Sequence, residues 1–240
     1  MTDVADTIRY RYDFLLPGGT ERTFDLHLDR SSLALAPVDP AAPLPAWTEL
    51  GCSQCDNCPL QQQAHPHCPI AANISDFVGF FSDAASYEEI DLRISTDERS
   101  YVKRTHMSEA VSSLLGIYMV TSGCPVMEKL RPMVRFHLPL ATAEETTFRA
   151  LAMYLVAQYF VSRSGGTPDW ELANLPHIYQ QVQIVNRGFT ERLRQSVEQD
   201  ASLNAVVRLD AFVGIILLSL NADMLDDIQR LFASYLPEGG

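Results

Sequence analysis

Between Leu50 and Ile70 the chain reads LGCSQCDNCPLQQQAHPHCPI, which places Cys52, Cys55, Cys58 and Cys68 with His65 and His67 in one short loop. Few features limit a fold more. The residues between the first thiols are Ser53, Gln54, Asp56 and Asn57, so the loop has no apolar period with which to enter a core. A turn across a C-x-x-C step brings two sulfurs to one point, and a bound metal is the simplest reason for doing so. The loop must then be rigid, and Gly51, Pro59, Pro66 and Pro69 suit that purpose.

Cys55, Cys58 and Cys68 are the centre of the expected ligand set, and Cys52, His65 and His67 compete for the fourth place. Zinc accepts four thiolates, or three thiolates and an imidazole, equally well. A [4Fe–4S] cluster is the alternative, because C-x2-C-x2-C with a remote Cys68-Pro69 follows the ferredoxin order. In ferredoxins, however, the fourth cysteine comes after three residues, whereas nine separate Cys58 from Cys68 here. The expectation is therefore zinc. Cysteine-rich ligation without a neighbouring glutamate base favours a structural ion. The His-x-Glu pattern of zinc deaminases is absent from the sequence.

Composition narrows the class. An apolar fraction of 47% and a charged fraction of 20% over 240 residues are ordinary for a globular chain that can bury a core unaided. The net charge of −12, with no Lys/Arg cluster, disfavours nucleic acid, because binding phosphates requires clustered cations. The most apolar run, Ala211–Leu220, is ten residues long, about half of the roughly 20 needed to span a bilayer. It reads as a core helix, so no membrane association is expected. An odd number of cysteines without a basic-then-apolar leader points to a reducing cytoplasm. A protein is the expected partner.

Periodicity predicts an α+β fold: N-terminal antiparallel β-hairpins with the cysteine-rich knuckle, followed by a C-terminal helical bundle. Ile8–Leu16 and Arg22–Leu28 alternate with a period of two around Pro17-Gly18-Gly19, and Tyr87–Ile94 with Ser100–Arg104 repeat the pattern. Residues 1–106 form the hairpin and knuckle region and 107–240 the helical region, packed together as one α+β unit. Ala36–Trp47 holds four prolines and reads as a spacer. Helices are expected over Ala71–Phe81, from Met107, and behind a Thr142/Glu145 capping box with a stripe through Phe148, Leu151, Leu155 and Tyr159. Another follows Asn174-Pro176, striped from Ile178 to Val197, and two more are capped by Ser202 and Asn221. Arg135–Leu140 reads as a short extended piece.

Cys124 stands apart from the loop. In Ser122-Gly123-Cys124-Pro125 it takes the Ncap place of a helix, where amides and the macrodipole favour a thiolate. As a nucleophile it needs a base, and His106 or His137 would serve if the fold brought one close; as a metal ligand it would add a fifth thiol. Packing explains such a cysteine as well. Tyr154, Gln158 and Tyr159 could line a pocket, with helix packing the commoner role. No phosphate loop, dinucleotide fingerprint, nucleophile elbow or HExxH motif occurs.

These segments together resemble a family of uncharacterised bacterial proteins known as a domain of unknown function. The resemblance rests on Cys55, Cys58-Pro59 and Cys68-Pro69; on Ser122–Pro125 leading into Arg135–Pro139; and on Glu144–Thr146 with Gln158, Tyr159 and Phe160. It covers most of the chain after Leu50 and implies no activity.

Overall fold

The computed structural model describes residues 7–36, 43–80, 85–195, 201–219 and 223–236. The chain divides into two compact units: Met1–Leu140 with Ile184–Asp210, and Ala141–Gln183 with Ala211–Gly240. The fold is α+β, as expected.

In the first unit, Thr7–Leu15 (β1) and Glu21–Asp29 (β2) pair antiparallel through Tyr12↔Phe24 and Phe14↔Arg22. Their turn is closed by the Leu16 amide donating to the Thr20 carbonyl at 2.8 Å. Gly18 and Gly19 stand there at φ +87° and +83°, a region side chains avoid. Glu89–Ser95 (β3) and Ser100–His106 (β4) form the second hairpin, and β3 joins β1, giving the sheet order β2-β1-β3-β4.

Alternation decides which face is covered. Ile8, Tyr10, Tyr12 and Phe14 of β1, Leu26 and Leu28 of β2, and Ile90, Leu92 and Ile94 of β3 are all buried. Pro69–Phe80 (α1) and Met107–Thr121 (α2) carry partners for them. Phe77 of α1 meets Phe24 edge-on with ring centres 5.3 Å apart, and lies 5.9 Å from Tyr118 of α2. The opposite face carries surface pairs such as Arg9–Asp25 at 2.8 Å and Arg104–Glu89 at 3.0 Å, which add little stability.

After α2 the chain departs from its expected course. A 3-10 turn at Met127–Leu130 and a single helical turn at Pro132–Arg135 (α3) follow. The expected extended piece at Arg135–Leu140 is not a strand. The His137 amide donates to the Val134 carbonyl at 3.0 Å, Leu140 adopts φ +56°, and Phe136 is left 80% exposed. Local turn bonding outweighs the alternation there.

Ala143–Arg163 (α4), Leu175–Arg194 (α5), Ala201–Ser219 (α6) and Asp223–Arg230 (α7) complete the fold. α5 and α6 each contribute residues to both units. The capping box is formed: the Glu145 amide donates to Thr142 Oγ1 at 3.1 Å, and the Thr142 amide donates to Glu145 Oε2 at 2.8 Å. Thr142→Ala is expected to cost about 1 kcal/mol in chemical denaturation; an unchanged midpoint would mean that solvent satisfies this helix end equally well.

The buried stripe of α4 is offset from the expected one. Thr147, Ala150, Leu151 and Tyr154 are inside, while Phe148, Leu155, Val156, Tyr159 and Phe160 are exposed. Polar partners make the inner stripe tolerable. Thr147 Oγ1 donates to the Ala143 carbonyl at 2.9 Å, and the Tyr154 hydroxyl donates to Asp169 Oδ2 at 2.7 Å. Asp169 also accepts the amides of Ala173 and Asn174, and its own amide donates to Gln158 at 2.8 Å. Tyr154 and Gln158 therefore anchor the α4–α5 connection. Ser202 is the second residue of α6, and residues 196–200 before that helix lie outside the described residues. Asn221, Val197 and the centre of the proline-rich spacer lie outside the described residues.

Candidate metal centre

The cysteine loop is fixed from three sides. On the first, Glu49 and His67 form an isolated antiparallel bridge, the Leu50 amide donates to the Pro66 carbonyl at 2.8 Å, and the Cys68 amide donates to the Thr48 carbonyl at 2.8 Å. These bonds draw the two ends of the loop together. Cys68 thus stands directly before α1, with the Ala72 amide donating to its carbonyl at 2.9 Å.

On the second side, Arg192 of α5 enters the loop and is only 2% exposed. One guanidinium nitrogen donates to the carbonyls of Trp47 and Glu49 at 2.7 and 2.6 Å, and another to that of Leu50 at 3.1 Å. The planar fork of donors matches three convergent carbonyls, which a single ammonium could not do as well. One helical turn earlier, Gly188 lets Cys55 press on the helix. A Cβ at that position would stand 2.9 Å from the Cys55 sulfur and 3.1 Å from its Cα. The thiol lies 3.9 Å from the Val185 carbonyl.

On the third side, Asn73 of α1 ties the loop to the end of α2. Its amide nitrogen donates to the Pro69 carbonyl at 2.7 Å and reaches the Ser122 carbonyl at 3.4 Å. Cys68-Pro69 and Ser122–Cys124, more than 50 residues apart in sequence, are thereby neighbours. The Cys124 amide donates to Ser122 Oγ at 3.3 Å, and the amides of Met127 and Val126 point hydrogen bonds at its sulfur.

The thiols fall into two groups. The Cys55 thiol is pushed up to about 12, first by burial and then by the charges of Cys68, Cys124 and Cys58. Burial likewise raises Cys124 despite the two amides, and Cys68 and Cys58 add to the effect. Cys55 and Cys124 therefore each sense Cys58 and Cys68, and the turn from Cys55 to Cys58 is closed by a 3.0 Å amide–carbonyl bond. Cys52 is held elsewhere: its thiol donates to Gln195 Oε1 at 3.5 Å, and Gln195 also donates to Ser53 Oγ at 2.9 Å.

The histidines divide as well. His65 is exposed. His67 Nδ1 lies 2.8 Å from Thr48 Oγ1, which donates to the Pro45 carbonyl at 2.7 Å. Nδ1 is accordingly the donor of this pair, and Nε2 is the lone-pair nitrogen of the neutral ring. Among the described residues, no group of three or more His, Cys, Asp or Glu side chains is placed so that it could hold a metal ion.

Cys124 does not have the surroundings expected of a nucleophile. It precedes a short 3-10 turn rather than an α-helix, and burial raises its thiol where the sequence predicted a favoured thiolate. Both candidate bases have other partners. His137 Nε2 is 2.9 Å from the Tyr12 hydroxyl, with its ring edge-on to Tyr10, while His106 Nδ1 lies 3.1 Å from the Tyr87 carbonyl.

Sequence reasoning missed Arg192, Gly188 and Asn73. Arg192 carried a readable sign, being a cation three residues after Phe189 on the apolar stripe of a helix. The other two have no local signature.

The hairpins and helices around this loop define an α+β protein. The family model described as a domain of unknown function, DUF6901, matches residues 8–233, and the chain belongs to that family. No curated protein and no solved structure matches it. Among the described residues, no helix is long and apolar enough to cross a membrane.

Proposed function

We propose that the chain is a cytoplasmic metal protein in which a structural zinc, bound at the knuckle, stiffens a module used for interaction with a protein partner or for regulation. The observation that carries this reading is the spacing of Cys55, Cys58 and Cys68 in a loop whose two ends are tied together by the Leu50–Pro66 and Cys68–Thr48 backbone bonds. A divalent cation reverses the local electrostatics: thiols that oppose one another's ionisation become ligands deprotonated by the ion. The exposed side chains of Phe148, Val156, Tyr159 and Phe160 support an interaction role over turnover.

The competing occupant is a [4Fe–4S] cluster on the same thiols, with a redox-sensing role; it would make the purified protein brown. Metal removal tests the structural claim. Stripping zinc with a chelator is expected to lower the melting temperature and to speed amide exchange in residues 48–70, with zinc restoring both. Exchange in the loop that ignores the chelator would contradict the reading.

A further inference from the structure

Resting on the reading that the knuckle binds a metal, we propose that Cys124 supplies the fourth ligand. Cys55, Cys58, Cys68 and Cys124 then form one tetrathiolate site, and Cys52, His65 and His67 lie outside it. Three observations lead there. Asn73 holds the Cys68-Pro69 and Ser122–Cys124 segments side by side through two carbonyls. The amides of Val126 and Met127 hydrogen-bond to the Cys124 sulfur, the kind of contact that orients a ligand from behind. Cys52, by contrast, is engaged with Gln195.

The charge agrees with this assignment. Four thiolates around a divalent zinc carry a net charge of about −2, and the buried Arg192 guanidinium is bound to the backbone at the start of the loop that carries three of them. An ion held in this way would tie the end of α2 to the loop and to α1, across a sequence gap that no C-x-x-C turn bridges. The rival is His67 through Nε2, which would give three sulfurs and one nitrogen.

The test is cadmium-113 NMR of the full-length protein with the isotope replacing zinc, since the shift distinguishes four sulfurs from three sulfurs and an imidazole. The wild type is expected to show the four-sulfur shift. Cys52→Ser and a His65→Asn, His67→Asn double variant should leave it unchanged. Cys124→Ser should move it upfield or weaken binding at least tenfold, with circular dichroism reporting whether that variant is folded. A three-sulfur shift in the wild type, or a shift moved by Cys52→Ser, would overturn the assignment while leaving metal binding intact. Wild-type protein that takes up no cadmium would overturn both the assignment and the reading beneath it. Because the wild-type spectrum counts sulfurs directly, misfolding of Cys124→Ser does not rescue the proposal.

Discussion

Replacing Arg192 by methionine is expected to lower stability by about 4 kcal/mol, the sum of lost charge-assisted hydrogen bonds and carbonyls left unsatisfied. Methionine fills most of the volume, so the loss reports the polar clasp more than a cavity. The carbonyls of Trp47, Glu49 and Leu50 lie within 3.1 Å of the guanidinium and would lose their donor, the first two in a part-buried place and that of Leu50 in a buried one. Arg192→Lys should lose less but still substantially, because one ammonium cannot face three carbonyls in a plane. Urea denaturation measures both. A loss below about 1 kcal/mol for methionine would show that water replaces the guanidinium, and the loop would then not depend on α5.

Gly188→Val is the second large effect, and here two contributions oppose each other. A side chain in place of glycine inside a helix gains up to about 1 kcal/mol of helix propensity. Against it stands the overlap with Cys55, at 2.9 Å to the sulfur and 3.1 Å to the backbone Cα. A flexible tip could yield, but a backbone atom in a loop tied at both ends cannot. Overpacking of this kind costs about 1–3 kcal/mol, so the overlap wins for valine. The expected result is a lower denaturation midpoint together with at least a tenfold loss of zinc affinity, as Cys55 is pushed from its neighbours. Gly188→Ala meets the same atoms without the γ-methyls, and it should show the affinity loss with a smaller change in midpoint. Unchanged zinc binding in both variants would mean that Cys55 is not a ligand.

Much of the first unit was legible because the signals are local. Period-two alternation from Ile8 to Phe14 named four residues that are all buried, and Pro17-Gly18-Gly19 named the turn between them. The Thr142/Glu145 box fixed the start of α4 for the same reason: its partners are three residues apart. Failures came where distant partners decide. The Phe148–Tyr159 stripe is the more apolar one, yet Asp169 draws Tyr154 inward and the helix buries the neighbouring face. His137 reads as one residue of an extended piece, but it turns in to reach a tyrosine 125 residues away.

The candidate site divides in the same way. Spacing alone proposes Cys55, Cys58 and Cys68 as a set, whereas Cys52 has the same two-residue spacing and its thiol donates to Gln195, 143 residues on. Cys124 carries a helix-start pattern in sequence. Its place beside Cys68 depends on Asn73, a contact across 49 residues that no spacing rule contains.

Elemental analysis of the full-length protein, purified once in air and once anaerobically, tests the central claim most directly. The account predicts a colourless protein holding about one zinc per chain in both preparations. Iron with visible absorption in the anaerobic sample, or protein free of metal in both, would contradict it.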